Sequence, residues 1–307
     1  MGDLKTGKSR LSRRGFLRLA AAGGMTGGLL GGTWLYGRKF EIEWWQLESV
    51  RLALPELPEP LQGFRILLLS DFHLYPHVRL EYLREVIHAV ADLRPDLAVF
   101  TGDFVQGTAD AIHDLAPLLA TVNARHGNFC VIGNHDIWKG REVVEPALRR
   151  EGLGVLVNQG LSLSHDGASL YLAGVDDLWS GNPDLPAAMA GWRGERTVVL
   201  LSHEPDPADQ YSQDPRIQLQ LSGHSHGGQV RIPGLGSPFL PPYGRKYDQG
   251  WFQVRTMQLY VNRGIGVTVP IRLYCRPEAT LLELVREPQT AARGARPGGS
   301  PLRDRRV

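Results

Sequence analysis

Gly63-Phe-Arg-Ile-Leu-Leu-Leu-Ser-Asp-Phe-His73 is the stretch whose reading decides the fold. Its apolar run is short and continuous, opens at Gly63 and stops at Asp71, which are the length and flanks of a buried strand. Downstream, Leu80, Leu83, Ile87, Val90 and Leu93 recur at helical spacing, and Pro95 ends that helix. Asp96–Asp103 predicts a second buried strand, residues 109–124 a helix despite Pro117, and Asn128–Ile132 a third strand running into Gly133-Asn-His-Asp136. A helix near 142–151 follows.

Residues 155–177 then read as short strands and turns. Thr197–Leu201 is another buried strand, Ile217–Leu221 alternates as a strand, and Ala279–Val285 is the last. Upstream, Leu54–Pro60 is Pro-rich and reads as a linker or turn. Alternating strand and helix in the first half argues a parallel sheet with covering helices; the second half is strand-rich. Both halves fit a four-layer αββα sandwich, two mixed sheets face to face with helices outside.

Composition narrows the function classes. The chain has 307 residues, 42% hydrophobic and 21% charged, as in an ordinary globular body. A net charge of +2 gives no basis for a nucleic-acid surface. Two cysteines, Cys130 and Cys275, cannot build a disulfide framework or a Cys-rich zinc site. A single disulfide between them stays open; Cys130, in an apolar run, reads as a buried inert thiol.

The positive charge is concentrated at the ends. Ser12-Arg-Arg-Gly-Phe-Leu-Arg18 resembles the bacterial twin-arginine export signal, and the Gly- and Ala-rich apolar run Leu19–Tyr36 follows it. That run approaches bilayer length, and no small-residue cleavage site follows it before Arg38 and Lys39. Residues 1–40 are therefore expected to be an export signal kept as a membrane anchor. The body, residues 41–286, would then face the extracytoplasmic side, with the cytoplasmic face as the alternative. The twin-arginine machinery and the membrane are the expected partners. Trp44 and Trp45 suit either the membrane–water boundary or the start of a strand. Residues 287–307 read as a basic, disordered tail.

The chemistry gathers where strands stop, as in open α/β sheets. Asp71 and His73 end the first strand, Asp103 the second, and Asn134, His135 and Asp136 the third. His203 follows Thr197–Leu201, and His224 and His226 follow Ile217–Leu221. The other histidines, His77, His88, His113, His126 and His165, end no apolar strand and read as structural. Oxygen and nitrogen donors without cysteine suit Mn, Fe, Zn or Mg ions.

Gly223-His-Ser-His-Gly227 also spells the serine-hydrolase elbow around Ser225. That motif requires a helix next and a later histidine. Neither follows Ser225, because Gly228, Val230 and Pro233 do not start a helix and no histidine comes after His226.

In order, Asp71-Phe-His73, Gly102-Asp103, Gly133-Asn-His-Asp136, His203 and Gly223-His-Ser-His226 resemble the blocks of the calcineurin-like metallophosphoesterases. The resemblance runs from about Gly63 to Leu284 and extends to a branch of small bacterial membrane-associated or exported phosphodiesterases. Members resembling that branch include UDP-2,3-diacylglucosamine pyrophosphatases. It implies two divalent metal ions, one held by Asp71, His73, Asp103 and His226, the other by Asp103, Asn134, His203 and His224. It also implies hydrolysis of a phosphodiester or pyrophosphate by a hydroxide held between the ions, with His135 as a general acid beside the phosphate.

Where the protein phosphatases of this superfamily carry an Asp and then an Arg, this chain has Gln106 and Gly107. Gln106 is expected to hydrogen-bond His135. Arg263 is the candidate replacement for the missing phosphate contact. The apolar loop Ser237–Tyr243 suits either a lipid-linked substrate or a packed cover. A non-catalytic metal-binding module on the same fold would be expected to have lost ligands, and every ligand position here is filled.

Overall fold

A computed structural model describes residues 31–286. The twin-arginine stretch, most of the apolar run after it and the basic C-terminal tail lie outside the described residues. Residues 31–39 are helical, and among the described residues no helix is long and apolar enough to cross a membrane.

The body begins with β1 (Gln46–Leu54) and β2 (Arg65–Leu69), followed by α1 (Leu80–Ala91), β3 (Leu97–Phe100), α2 (Ile112–Leu119), β4 (Asn128–Cys130), α3 (Asn134–Arg150) and β5 (Gly154–Val155). The second half contains β6 (Gln159–His165), β7 (Ala168–Gly174), α4 (Leu185–Ala188), β8 (Thr197–Leu201), α5 (Ala208–Tyr211), β9 (Leu219–Ser222), β10 (Gly250–Val254), β11 (Met257–Val261) and β12 (Glu278–Arg286). One sheet has the order β1-β12-β2-β3-β4-β5, the other β10-β11-β9-β8-β7-β6. Both are mixed: β2, β3, β4 and β5 run parallel while β12 opposes β2, and β7, β8, β9 and β11 run parallel between antiparallel edges.

Alternate residues of the central strands enter different cores, because side chains in a strand point to opposite faces. Ile66, Leu68, Leu97, Val99, Val199 and Leu201 fill the space between the sheets. Leu67, Leu69, Ala98 and Phe100 face α1 and α2 on one outer side, while Val198 and Leu200 face the opposite outer layer with Tyr211. Burial on both faces explains why these strands read as unbroken apolar runs. The architecture is the four-layer αββα sandwich expected from the sequence.

Three boundaries differ from the sequence reading. β1 extends the fold upstream, pairing in parallel with β12 from Gln46 opposite Glu278 to Leu54 opposite Arg286. Its first residues are only partly buried, so no apolar run announces it. Trp45 packs against the core, whereas Trp44 stays exposed under the Arg276 guanidinium. The expected helix over 109–124 is a 3-10 turn at Ala109–Ala111 followed by the short α2.

The third difference is the start of α3, at Asn134 rather than near 142. Asp136 accepts a hydrogen bond from the Gly133 amide at 3.1 Å, which caps the polar first turn. Gly140, at φ 142°, breaks the helix between that turn and its apolar part.

Cys130 and Cys275 are both buried and free, so no disulfide joins them.

Candidate metal centre

The loops after β2, β3, β4, β8 and β9 meet at one end of the sandwich. They bring three groups of metal-capable side chains together: Asp71, His73 and His226; His73, Asp103 and His135; and Asp103, His203 and His224. Asn134 joins the last group, its Oδ1 lying 3.2 Å from His203 Nε2. Every residue expected to hold metal is therefore in one cluster, and all seven are buried.

The backbone is bent to achieve this. Asp71, His73, Asp103, His224 and His226 all have positive φ, between 47° and 69°. Non-glycine residues adopt that region at a cost and do so mainly at functional sites. Close approach of the loops supplies the constraint. A Cβ on Gly133 would collide with Asp103, and one on Gly223 with Ser70 and Asp71. A Cβ on Gly227 would meet Gln249 and Cys275, and one on Gly228 would meet Ser237, so these two glycines serve the packing of the loop behind the ligands.

Asp103 is central. Its Oδ2 lies 3.4 Å from His73 Nε2 on one side and 3.3 Å from His203 Nε2 on the other. Beyond His73, the His226 Nε2 is 2.9 Å away and itself 3.3 Å from Asp71 Oδ1. Beyond His203, the His224 Nδ1 is 3.2 Å away.

The tautomers fit a cation. The outer nitrogen of His203 donates to the Thr101 carbonyl at 2.6 Å, and that of His224 to the Pro242 carbonyl at 2.7 Å. With those outer nitrogens committed as donors, His224 Nδ1 turns a lone pair toward His203 Nε2, and once His203 gives up its second proton the two lone pairs face each other, an arrangement that a shared cation satisfies. His73 and His226 likewise converge through Nε2, while their buried Nδ1 atoms have no partner.

Charge follows the same logic. Burial opposes ionisation of Asp103, but His203 outweighs it and holds the carboxyl well below its usual value. Burial opposes the cationic form of His203, yet Asp103 pushes its pKa well above normal. A divalent cation bound here would replace that proton. Burial also pushes His226 well below its usual range, leaving a neutral ring.

Two residues outside the sequence reading of the ligands shape the site. Asp136 accepts from the Asp103 amide at 2.9 Å, Phe104 at 2.8 Å and Val105 at 3.2 Å, which ties the loop after β3 to the first turn of α3. Burial, and then Asp103, push its carboxyl up to about 7. Arg272 is fully buried and donates to the carbonyls of Arg263, Gly264 and Gly266. That loop in turn bonds the Ser70 and Asp71 carbonyls through the Ile265 and Gly266 amides. The only trace in the sequence was the position of Asp136 after Asn134-His135; Arg272 left none.

Other expectations are corrected. Gln106 reaches the Thr268 carbonyl rather than His135. Arg263, expected to contact phosphate, is turned away to Glu48 at 3.0 Å and Glu278 at 2.7 Å. Ser225 donates its hydroxyl to the Asp248 carbonyl and accepts from the Gly227 amide, and a 3-10 turn at His226–Gly228 stands where an elbow needs a helix. His126 stacks on Phe64 and His165 meets that ring edge to face, while His77, His88 and His113 are exposed.

A cleft of about 860 Å³ opens over the centre. Asp103, Asn134, His135, His224 and His226 form its polar floor; Trp179, Phe239, Leu240, Val269 and Ile271 form apolar walls; and Arg245 stands at its edge. His135 meets His73 edge to face at 4.7 Å and Trp138 at 4.9 Å. Burial pushes His135 down to about 4, against the pull of Asp103, so it is neutral at pH 7.

Comparison with known proteins agrees with this geometry. The family model for calcineurin-like phosphoesterases matches residues 64–228. The chain is 38% identical over 285 residues to the uncharacterized metallophosphoesterase YkuE of Bacillus subtilis, covering 90% of this chain and 98% of that protein. It is 32% identical over 286 residues to the phosphodiesterase YaeI of Escherichia coli, covering 90% of this chain and 100% of that protein. It is 26% identical over 315 residues to the UDP-2,3-diacylglucosamine pyrophosphatase LpxG of Chlamydia muridarum, covering 83% and 94%. The protein belongs to the calcineurin-like phosphoesterases and is a metal-dependent phosphoesterase.

Proposed function

We propose that the protein hydrolyses phosphodiesters at a two-ion centre, Asp71, His73, Asp103 and His226 holding one ion and Asp103, Asn134, His203 and His224 the other. The observation that carries this reading is the Asp103 Oδ2 atom, nearly equidistant from His73 and His203. Two ions bound there would polarise the phosphoryl group and supply a nucleophile at neutral pH.

The chain's own residues do the rest. Asp103 keeps the two halves in register and offsets positive charge between them. His135, neutral and at the cleft floor, donates its ring N–H to a phosphoryl or leaving oxygen. Arg245, exposed at the cleft edge, supplies a contact to phosphate that Arg263 does not.

The apolar walls favour a phosphodiester or pyrophosphate carried by a lipid, which is also the substrate type named for the Chlamydia relative. Hydrolysis of bis-p-nitrophenyl phosphate with added Mn ion, abolished by chelator, tests the core reading. No turnover with any divalent metal would overturn it. A panel of phosphomonoesters, nucleotides, glycerophosphodiesters and UDP-diacylglucosamine then ranks the substrates.

A further inference from the structure

Exposed apolar side chains are ordinary when scattered singly. Here they converge from three segments distant in sequence. Ile232 and Gly236 pair across a tight turn, with Ile232 N to Gly236 O at 2.8 Å and Gly236 N to Ile232 O at 3.0 Å. That turn holds Leu235 at its tip, 82% exposed, and Phe239 follows at 78%. The base of the turn bonds the second segment, since Arg231 N donates to Leu273 O at 2.9 Å. Val269 and Tyr274, both exposed, belong to that second segment. It bonds in turn to the helix over 31–39, through Arg272 N to Gly37 O at 3.0 Å.

A rigid turn that presents leucine to solvent has no packing purpose within the molecule. The charge pattern indicates what covers it. Residues 31–40, 230–243 and 268–276 contain no Asp or Glu and five cations; Arg231 is paired with Asp248 and Arg272 is buried, which leaves Arg38, Lys39 and Arg276 for the surface. Arg38 lies over the exposed Trp34 ring at 4.9 Å, and Arg276 over Trp44 at 4.0 Å. Apolar and aromatic tips beside cations, with acids absent, are the chemistry of a membrane interface with anionic lipid. The apolar run Leu19–Tyr36 also leads directly into this face.

We infer that Leu235, Phe239, Val269 and Tyr274 form a membrane-docking lip that lies in the bilayer interface beside the helix over 31–39. Phe239 and Val269 also line the cleft over the metal centre, so the lip forms a continuous apolar path from the bilayer to the reaction site. The path to the site rests on the lipid-linked reading above; the docking itself does not.

Cys130 and Cys275 are buried, so the full chain accepts single surface labels. With L235C and Y274C carrying an environment-sensitive fluorophore, reconstitution into phosphatidylethanolamine–phosphatidylglycerol vesicles should shift emission to the blue. Quenchers on the lipid acyl chains should quench it. R196C, exposed just before β8 at the opposite end of the sandwich, should do neither. Equal behaviour at all three positions overturns the inference, as does a concentration-dependent shift in detergent without vesicles, which would make the lip a self-association surface.

A double variant, L235D with Y274D, separates docking from catalysis. Turnover of soluble bis-p-nitrophenyl phosphate should be unchanged, while turnover of phosphatidyl-p-nitrophenol in vesicles should fall at least about tenfold. Unchanged turnover of the vesicle-borne ester overturns the path from bilayer to site. If the wild type hydrolyses neither ester, the proposed function fails while the fluorophore positions still decide the docking.

Discussion

The Asp136 carboxylate holds the backbone amide of Asp103 at 2.9 Å, so the first turn of α3 sets the position of the carboxylate at the middle of the metal centre. Asp136 also receives the Gly133, Phe104 and Val105 amides. Asp136→Asn keeps the volume but presents an NH₂ group to some of these donors. Affinity for Mn ion should fall roughly 10- to 100-fold, as for partners that orient ligands, with the fold retained. Calorimetric titration checks this, and wild-type affinity in a folded variant would count against the role. Asp136→Ala strands several buried amides, each costing about 1–3 kcal/mol, and should lower Tm sharply.

Asp103→Asn removes the charge between His73 and His203 while preserving shape. Phosphodiesterase turnover should drop more than about 100-fold, beyond the cost of an orienting partner. Metal analysis should show fewer than two ions per chain. A rate equal to wild type with Mn ion present would refute the shared-carboxylate assignment.

His135 lies within reach of His73 and Asp103, so it could in principle act as a ligand itself. His135→Ala tests the difference. As a donor to substrate, its loss should lower kcat about 10²- to 10⁴-fold with metal content unchanged. Loss of an ion instead would make it a ligand.

Two arginines should separate binding from stability. Arg263 pairs with Glu278, which is buried, so Arg263→Ala leaves an uncompensated carboxylate and should cost roughly 3–5 kcal/mol without changing KM of the folded fraction. Arg245→Ala, at the exposed cleft edge, should leave Tm unchanged and raise KM for phosphodiesters. Denaturant melts and Michaelis curves on both variants check the pair.

Burial, and then the neighbouring Glu204, push Asp177 up to about 9. The folded state therefore keeps a proton that the unfolded chain releases near pH 4, and stability falls as pH rises between about 4 and 9. Asp177→Asn needs no proton. Its Oδ1 can still accept from the Ser180 amide. The variant should melt a few degrees higher at pH 8 than wild type, and the difference should shrink toward pH 4. Chelator-treated protein scanned at several pH values would show this, and an equal slope for both proteins would contradict it.

By itself the sequence determined the strands whose two faces are both buried, because continuous apolar runs leave few alternatives. It also identified which histidines and carboxylates lie at their ends. Asp71, His73, Asp103, His203, His224 and His226 were legible for that reason. β1 was not, since three of its nine residues are exposed and four more only partly buried, and such a strand has no apolar run. The N-terminal turn of α3 was hidden because its residues are polar ligands and caps rather than a periodic apolar face.

Only the tertiary structure decided which way each side chain points. It turned Arg263 away from the cleft to Glu48 and Glu278, sent Gln106 to a backbone carbonyl and bound the Ser225 hydroxyl to the Asp248 carbonyl. It also gathered residues 31–40, 230–243 and 268–276 onto one face. Those choices depend on partners tens to hundreds of residues away, which no local pattern of spacing or propensity encodes.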